Sequence, residues 1–415
     1  RCTSAARDDG IEPPAAAADV ATLDHERRRR AAPALHRHDD DDLVMICHSS
    51  GTTGRPKPTT FTHRSFFAGK RERLWSFPSL RSDRLLTALP QSHSAGLSYV
   101  SLAILLGVPT LVSDDPTGAE LARDVDDFRP TVVVGFPGTL AALPVDDLRP
   151  SAFASVTTWM GMGDASHERH IRPLLRHGAT YVDGLGSSEM GMVLFKHAHG
   201  PGSSDYARKI GRPVCAERDV AVLDADGSML PDGEPGLLGV RTASVTPGYW
   251  DDPGLTERST LGGYFLTGDV VRRDPSGDWY HLDRTPDTIR TGAGTVYSLQ
   301  LEEILLLESD ALDAAVVGVP DPDEDGAQLP IGIVLPPDGG VDASELLQRC
   351  NARLEEHGLA TLAAVLVVGD RTGLPVGATG KVLKRVLRER HRALLRDGAV
   401  PANAARSSAE AVVGR

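Results

Sequence analysis

A nine-residue stretch from Ser49 to Lys57 carries the residue types that hold a polyphosphate. It reads Ser-Ser-Gly-Thr-Thr-Gly-Arg-Pro-Lys. Its two glycines let backbone N–H groups close around an anion, its four hydroxyls add donors, and Lys57 adds positive charge. It is not the P-loop of kinases and GTPases, which requires Gly-x4-Gly-Lys-Ser/Thr. Because the strand-like run Leu43 to Cys47 precedes it, a plain surface turn is the less favoured interpretation.

Three further segments combine glycine, hydroxyls and charge. An apolar strand near Thr180 leads to Ser188 and Glu189, a second segment ends in Thr-Gly-Asp269, and a third contains Thr-Gly-Lys381. An isolated Ser-Ser-Glu is more often a helix cap, and an isolated Thr-Gly-Asp is more often a turn. Their order along one chain is what separates them from these common features.

Together these segments resemble the motifs of the acyl-adenylate-forming superfamily, which includes acyl-CoA synthetases, peptide-synthetase adenylation domains and luciferases. The resemblance covers about Leu43 to Arg390. It implies an α/β fold, with a large domain built from a parallel α/β sandwich and a small β-rich subdomain, followed by a small α+β C-terminal domain. It also implies ATP-dependent activation of a carboxylic acid as its acyl-adenylate, with release of pyrophosphate.

The resemblance assigns a role to each matching residue. Lys381 is expected to bridge the substrate carboxylate and the α-phosphate, Lys57 to stabilise the departing pyrophosphate, and His93 to border the reacting carboxylate. A cation between two anions offsets their repulsion as the carboxylate attacks phosphorus. Glu189 is expected to hold Mg²⁺, with Thr53 as a further ligand. The other residues expected to bind ATP or AMP are Ser49, Ser50, Gly51, Thr52, Gly54, Gly163, Asp164, Leu185, Gly186, Ser188, Asp269 and Arg284.

The acid pocket is expected between His93 and Glu189. Its candidate lining residues are His93, Phe136, Met160 and Met162. Leu185 takes the place of the aromatic residue that lies against adenine in the family. These residues identify neither the acid nor the acceptor. Coenzyme A, a carrier protein bearing phosphopantetheine, and an amine all stay open as acceptors.

Three departures from the family pattern concern the N-terminus and the second half-reaction. Family members have a whole subdomain before the phosphate loop, and we expect it to be largely missing here. Pro286 occupies the pivot, usually Asp or Lys, about which the small domain rotates, and proline fixes φ at about −65°. Ala293 replaces a glycine, and Ser298-Leu-Gln300 replaces a Pro-x-Glu pattern. These changes predict intact adenylation and an impaired thioester step.

Two alternatives stay open. One is a conventional acyl-CoA synthetase that tolerates Pro286. The other is a non-catalytic nucleotide-binding scaffold. Pyrophosphate release with a panel of acids separates an enzyme from a scaffold, and turnover to a CoA thioester separates the two kinds of enzyme.

The elements that must position these residues follow from the apolar patterning. Strand-like runs alternate with helical patterns up to about Gly200, which predicts an α/β sandwich with a largely parallel sheet. The predicted strands are Leu43–Cys47, Leu85–Ala88, Thr110–Ser113, Thr131–Gly135, Val156–Met160 and Thr180–Asp183. Ligands of such sheets bind beyond the carboxyl ends of the strands. We therefore expect the loop at Ser49 to lie at that edge.

Four regions are predicted along the chain. Residues 1–42 are expected to be poorly ordered, and 43–283 to form the large domain, with its β-rich subdomain at 205–283. Residues 284–398 are expected to form the small domain after a hinge at Pro286, and 399–415 a flexible tail. The small domain is predicted to contain helices near Ser298–Leu307 and at Ala343–Glu356, and strands at Ala314–Val319, Ile331–Leu335 and Ala364–Val368.

Composition argues against several classes of function. The 415 residues suffice for two or three domains, and 40% hydrophobic with 24% charged residues is ordinary for a globular enzyme. A formal net charge of −13 argues against nucleic acid or acidic lipid as partners. The four cysteines form no CxxC pair, so a reduced cytoplasm is expected. The apolar run Leu97 to Val112 predicts a buried helix, a turn and a buried strand, and no membrane span.

Overall fold

The computed structural model describes residues 37–49, 56–76, 83–113, 118–163, 166–191, 193–204, 208–337, 340–377 and 380–395. All the elements below lie within Asp40–Arg415, which forms one compact unit. The predictions of a poorly ordered N-terminal segment and of a flexible tail fall almost wholly outside the described residues.

The phosphate-loop segment connects two antiparallel strands. Strand β1 (Leu43–His48) pairs with β2 (Pro58–Thr62), and Ser49 N donates to Lys57 O at 3.0 Å across the base of the loop. The expectation that Leu43–Cys47 belongs to the parallel sheet is therefore wrong, because β1 and β2 form a separate two-stranded ribbon. A strand inside a parallel sheet is buried on both faces, whereas most side chains of β1 are exposed.

The central sheet contains twelve of the described strands. Five of them run parallel in the order β4, β3, β5, β6, β7, which confirms the predicted strand-helix alternation. Their bounds are β3 (Leu85–Thr87), β4 (Thr110–Val112), β5 (Val132–Gly135), β6 (Thr158–Met162) and β7 (Thr180–Gly186).

The rest of the central sheet is antiparallel and continues from β7. Its strands are β8 (Val193–His199), β9 (Lys209–Pro213), β10 (Val220–Leu223), β11 (Gly236–Val240), β12 (Thr260–Leu261), β13 (Tyr264–Arg273) and β14 (Trp279–Arg284). Most of this half corresponds to the predicted β-rich segment. It is joined to the parallel half by the antiparallel pairing of β8 with β7.

Helices cover both faces of the parallel half. They are α2 (Ser94–Leu106), α3 (Gly118–Phe128), α4 (Pro137–Ala141), α5 (Pro150–Phe153) and α6 (Glu168–Ile171). Of the other described helices in this part of the chain, α1 (His63–Ser76) contacts β1 and β2, and α7 (Pro253–Arg258) contacts β12 in the antiparallel half. One core holds Leu121 of α3 against Trp159, and a second holds Tyr99 of α2 against Met162. The predicted helix, turn and strand over Leu97 to Val112 are present, but the expectation of a buried strand is wrong, because β4 lies at the edge of the sheet and is half-buried. The helix is buried on one face only, since Ile104 is 74% exposed.

The C-terminal part is an α+β unit, as predicted. Its strands are β15 (Ile289–Thr291), β16 (Gly294–Val296), β17 (Asp313–Pro320), β18 (Gln328–Leu335) and β19 (Ala364–Val367), and its helices are α8 (Ser298–Ser309), α9 (Ala343–Glu356) and α10 (Lys384–Arg390). Helix α9 has the predicted bounds because Asp342 caps it, accepting from the N–H groups of Ser344 and Glu345 at 2.9 Å. Among the helices of the described ranges, none is both long and apolar enough to cross a bilayer.

Candidate active site

A cleft between the large and small domains gathers residues from all the segments singled out above. Its lining includes Ser49, Lys57, His93, Phe136, Gly163, Gly186, Ser188, Glu189, Tyr249, Thr267, Gly268, Arg284, Pro286 and Lys381. The two lysines expected to serve a nucleotide, far apart in the sequence, thus face one space. Three cations on the wall of a chain with net charge −13 concentrate positive potential where a polyphosphate would need it.

The loop end of the cleft is held by Lys57 and Ser49. The backbone N–H of Lys57 donates to Ser49 Oγ at 3.3 Å, and its ammonium lies 5.6 Å from the ring centroid of Tyr249. The remaining predicted phosphate-binding residues of this loop, Ser50, Gly51, Thr52, Thr53 and Gly54, lie outside the described residues, as does Asp164.

The segment after β7 brings a carboxylate and a hydroxyl into the cleft. Tyr249 donates its hydroxyl to Glu189 Oε1 at 3.2 Å, and burial together with the Glu189 charge raises the pKa of Tyr249. The Oγ atoms of Ser188 and Ser94 lie 3.0 Å apart. Within the described part of the chain, no group of three or more His, Cys, Asp or Glu side chains could hold a metal. Mg²⁺ usually takes one or two carboxylates together with substrate phosphates, so Glu189 alone fits that ion.

Arg284, rather than Asp269, lines the cleft. Asp269 is 2% exposed, and its Oδ1 lies 3.1 Å from Arg284 Nε and 3.4 Å from His281 Nε2. Burial raises the pKa of Asp269, but Arg284 and His281 outweigh burial and hold that pKa at about 2. Asp269 was expected to contact the nucleotide. Here its carboxylate lies beneath the wall formed by Thr267 and Gly268, and it anchors the guanidinium.

Lys381 and His93 meet at the centre of the cleft. Lys381 Nζ donates to Gly163 O at 3.3 Å. His93 caps α2, and its Nδ1 accepts from Ala95 N at 3.2 Å, so a neutral ring carries its proton on Nε2. Burial, and then the charge of Lys381, lower the pKa of His93. The imidazole is therefore neutral near pH 7 and can donate from Nε2 beside the ammonium.

An apolar pocket opens from this centre. It shares His93, Phe136 and Gly163 with the cleft and continues between Phe61, Phe66, Met162, Val193 and Lys70. Phe136 lies edge-on to His93, with ring centroids 5.2 Å apart. Small-molecule sites are lined mainly by apolar and aromatic side chains with a few polar groups, and the lining of this pocket is of that kind.

Two residues expected at the site are buried in the core. Met160 and Met162 lie two residues apart in β6 and therefore point to the same side of the sheet. Both belong to one core, but Met162 lines the pocket and Met160 does not. Leu185 was expected against adenine. It packs with Phe195 and Met190 instead, because alternate residues of β7 face opposite sides of the sheet, and Gly186 is the residue that lines the cleft.

Several lining residues were missed from the sequence, among them Tyr249 and Lys70. Tyr249 belongs to the segment Pro247 to Trp250, where an aromatic hydroxyl among turn residues is a usable signal. Lys70 follows Phe66, Phe67, Ala68 and Gly69 in α1. A charge beside an apolar helical face gives no sign of which pocket it reaches.

The small domain docks on α6 through charged contacts. His167 Nδ1 lies 2.6 Å from Glu303 Oε2, Glu168 N donates to Glu303 Oε1 at 2.9 Å, and Arg169 Nη1 donates to Asp310 Oδ1 at 2.5 Å. Burial raises the pKa of Glu303, but His167 outweighs burial and the net shift is downward.

The contact on α6 is tied to the sheet interior. Just before His167, Ser166 N donates to Asp183 Oδ1 at 2.9 Å, and Asp183 Oδ2 lies 3.0 Å from His199 Nε2. Both Asp183 and His199 are buried.

A buried polar chain spans the linker around Pro286. Asp283 Oδ2 accepts from Ser298 N at 2.6 Å and from Ser298 Oγ at 2.7 Å. Lys384 Nζ donates to Ser298 Oγ at 2.7 Å and pairs with Glu302 Oε1 at 2.7 Å. Burial lowers the pKa of Lys384, but the charge of Glu302 outweighs burial and raises it. We call Asp283, Ser298, Lys384 and Glu302 the linker latch. In the motifs that this chain resembles, position 283 is Gly and position 298 is Pro.

Comparison with known proteins agrees with this geometry. Residues 5–250 match the model of the AMP-binding enzyme family, and residues 300–381 match that of the AMP-binding enzyme C-terminal domain. The chain belongs to the AMP-binding enzyme family. It is therefore an adenylate-forming, AMP-forming ligase, and the predicted fold class is confirmed.

Named relatives illustrate the range of this family. A 3-aminoavenalumate diazotase from a Streptomyces species is 38% identical over 378 residues, covering 84% of this chain and 67% of the relative. A feruloyl-CoA synthase from an Amycolatopsis species is 31% identical over 354 residues, covering 83% and 69%.

Solved structures share the fold. The anthranilate CoA ligase AuaEII in complex with anthranoyl-AMP has a TM-score of 0.76 at 20% identity, covering 90% of this chain and 72% of that one. ATP-bound MatB from Rhodopseudomonas palustris has a TM-score of 0.73 at 24% identity, covering 88% and 71%.

Proposed function

We propose that this protein uses ATP to activate a small carboxylic acid as its acyl-adenylate, releasing pyrophosphate. The observation that carries the proposal is that Lys57 and Lys381 line one cleft from opposite domains, with the acid pocket opening beside Lys381. A nucleotide lying between the two lysines would present its α-phosphorus where the pocket presents a carboxylate.

The charges of the cleft suit an attack of one anion on another. Lys381 would neutralise the acid carboxylate and the α-phosphate together, and Lys57 would stabilise the negative charge that builds up on pyrophosphate. Arg284, held by Asp269, would fix the ribose side. The neutral His93 would donate from Nε2 to the acid without adding charge. Such preorganised groups supply most of the catalysis when the substrate is its own nucleophile.

Glu189 would hold Mg²⁺ from the protein side. When bound, the ion neutralises charge on the phosphates. Tyr249 orients the Glu189 carboxylate through its 3.2 Å hydrogen bond, and Ser188 supplies a neighbouring hydroxyl.

We further propose that acyl transfer proceeds without rotation of the small domain. The linker latch supports this, because its two hydrogen bonds to Asp283 cross the pivot and would break on rotation. Pro286 adds a fixed φ at the pivot. An acceptor that enters the docked pose, such as an amine or water, fits these features better than an acceptor that needs the second pose of the family.

Pyrophosphate release with a library of carboxylic acids tests the adenylation proposal. Lys381→Ala is expected to lower turnover by about 10²- to 10³-fold, the usual cost of losing a transition-state donor, while ATP binding by calorimetry changes little. Lys209→Ala is the matched control, because Lys209 pairs with Asp278 in the antiparallel half and does not line the cleft. ATP binding with no pyrophosphate release from any acid would leave the scaffold alternative standing.

A diazotase is the second candidate. It is favoured by the 38% identity to a protein of that name and by the features that disfavour the thioester step. The oxyanion activated by ATP would then be nitrite. An aryl amine would attack the nitroso nitrogen, with AMP leaving and one amine proton lost to water. The resulting N-nitrosamine would move its second proton from nitrogen to oxygen, giving a diazohydroxide, and loss of hydroxide would give the diazonium ion.

Supplying nitrite and an aryl amine in place of coenzyme A tests this candidate. Pyrophosphate release that depends on nitrite, with an azo dye formed on adding a naphthol, would support it. Pyrophosphate release that needs only the carboxylic acid would contradict it.

A further inference from the structure

A lysine is buried in the wall of the acid pocket. Lys70 of α1 is 3% exposed, and its Nζ donates to Ser98 Oγ at 2.7 Å. The ammonium also lies 4.0 Å from the ring centroid of Phe66. Burying an ammonium costs free energy unless acceptors and favourable charges surround it. A cation is nonetheless kept at this position on a largely apolar wall.

Lys70 does not serve the reacting end of the site. Lys381 lines the cleft and not the acid pocket, whereas Lys70 lines the acid pocket and not the cleft, and the two spaces share His93 and Phe136. A group contacting Lys70 therefore belongs to the part of the acid remote from the carboxylate that is activated. The aromatic walls formed by Phe61, Phe66 and Phe136 fit a flat apolar body between these two ends.

We propose that Lys70 selects an aryl acid that carries an oxygen acceptor, a phenolic oxygen or a second carboxylate, at the end remote from its reacting carboxylate. The proposal rests on the proposed activation of an acid and names the class of that acid. A charge-assisted hydrogen bond in a water-poor pocket is stronger than one between neutral groups. Hence an acid without the acceptor does not form this bond and binds more weakly.

Matched acids test the proposal. Benzoate and trans-cinnamate, each with and without a 4-hydroxyl or a 4-carboxylate, are offered to the full chain with ATP and Mg²⁺. Binding is measured by calorimetry and turnover by pyrophosphate release. We expect the oxygenated member of at least one pair to bind about 10- to 100-fold more tightly and to show a correspondingly lower KM. In Lys70→Met this preference falls to within about twofold, whereas Lys70→Arg keeps its direction.

Two further variants provide a second test of the proposal and a control. Ser98→Ala removes the hydroxyl that positions the ammonium and is expected to reduce the preference several-fold, so it tests the proposal even if Lys70→Met fails to fold. Lys209→Met controls for the loss of a paired lysine elsewhere. Circular dichroism and thermal unfolding check the fold of each variant.

The outcomes separate the two proposals. A Lys70-dependent binding preference without pyrophosphate release overturns the proposed function and supports the acid class. Pyrophosphate release with no preference in the wild type, or with a preference that persists in Lys70→Met and Ser98→Ala, overturns the acid class alone. Failure of every acid to bind overturns the acid class as well.

Discussion

Removal of one hydroxyl is expected to loosen the small domain. Ser298→Ala deletes the 2.7 Å hydrogen bond to Asp283 and the oxygen that accepts from Lys384. The backbone N–H of position 298 still donates to Asp283, and Lys384 still pairs with Glu302. The substitution therefore removes a contact that exists only in the docked pose and keeps the rest of the latch.

The size of the effect follows from the charge on Asp283. A hydrogen bond to a charged group contributes roughly 1.5–3 kcal/mol, which corresponds to a change of about 10- to 150-fold in an equilibrium constant. Since rotation about the linker separates Asp283 from Ser298, the docked population should fall by that factor relative to rotated ones. Ser298→Pro, which installs the family residue, removes both hydrogen bonds and should shift the population further.

Two measurements report this shift. Spin labels on exposed positions of α7 and α9 give the distance distribution between the domains, in which Ser298→Ala should add a second population. The yield of CoA thioester per pyrophosphate released should rise in parallel, because the rotated pose becomes accessible.

A control within the small domain makes the result specific. Thr372→Ala removes a hydroxyl hydrogen bond of the same kind, from Thr372 Oγ1 to Asp370 Oδ1 at 2.5 Å, without touching the linker. If Ser298→Ala and Ser298→Pro both keep the distance distribution of the wild type, the latch does not hold the pose and the reasoning fails.

Three other predictions concern the charged anchor, the docking contact and the loop that carries Lys381. Arg284→Ala should lower stability at neutral pH. Burial raises the pKa of Asp269 and Arg284 outweighs it, giving about 2 against an ordinary 3.8. The depressed pKa contributes roughly 2 kcal/mol above about pH 4, lost as pH falls through 2, and urea unfolding from pH 7 to pH 2 should lose this pH dependence in the variant. Glu303→Ala should slow pyrophosphate release at least about tenfold through loss of its bonds to α6, and an unchanged rate would show that the pair does not secure docking. Gly380→Ala places a side chain at φ +74°, against Gly138, and should slow pyrophosphate release several-fold with little change in Tm; wild-type kinetics would contradict this.

The parts of the fold that sequence predicted are those set by local patterning. The Asp342 cap and the apolar spacing predict helix α9, and short β-branched runs between helices predict the parallel strands. The pairing of β1 with β2 could not be read in this way. A strand-like run does not reveal its partner, and only the exposure of β1 shows that it lies outside the main sheet.

The same distinction between local sequence pattern and three-dimensional packing applies to the candidate site. Residues marked by motif and charge, such as Lys57, Lys381 and Arg284, were predicted and do line one cleft. The misplaced residues depend on side-chain direction, which is settled by packing: Leu185 turns into the core and Asp269 lies under the wall. Lys70 escaped notice because its significance comes from the aromatic rings around it, which are brought together only in three dimensions.

A series of contacts runs from His199 through Asp183, Ser166 and His167 to Glu303. It connects the docking contact of the small domain to the interior of the central sheet. The position of the small domain thus depends on Asp183, a buried carboxylate of the central sheet, and not on a surface loop. Selections for altered product should therefore recover substitutions around His199, a position that lines neither the cleft nor the acid pocket.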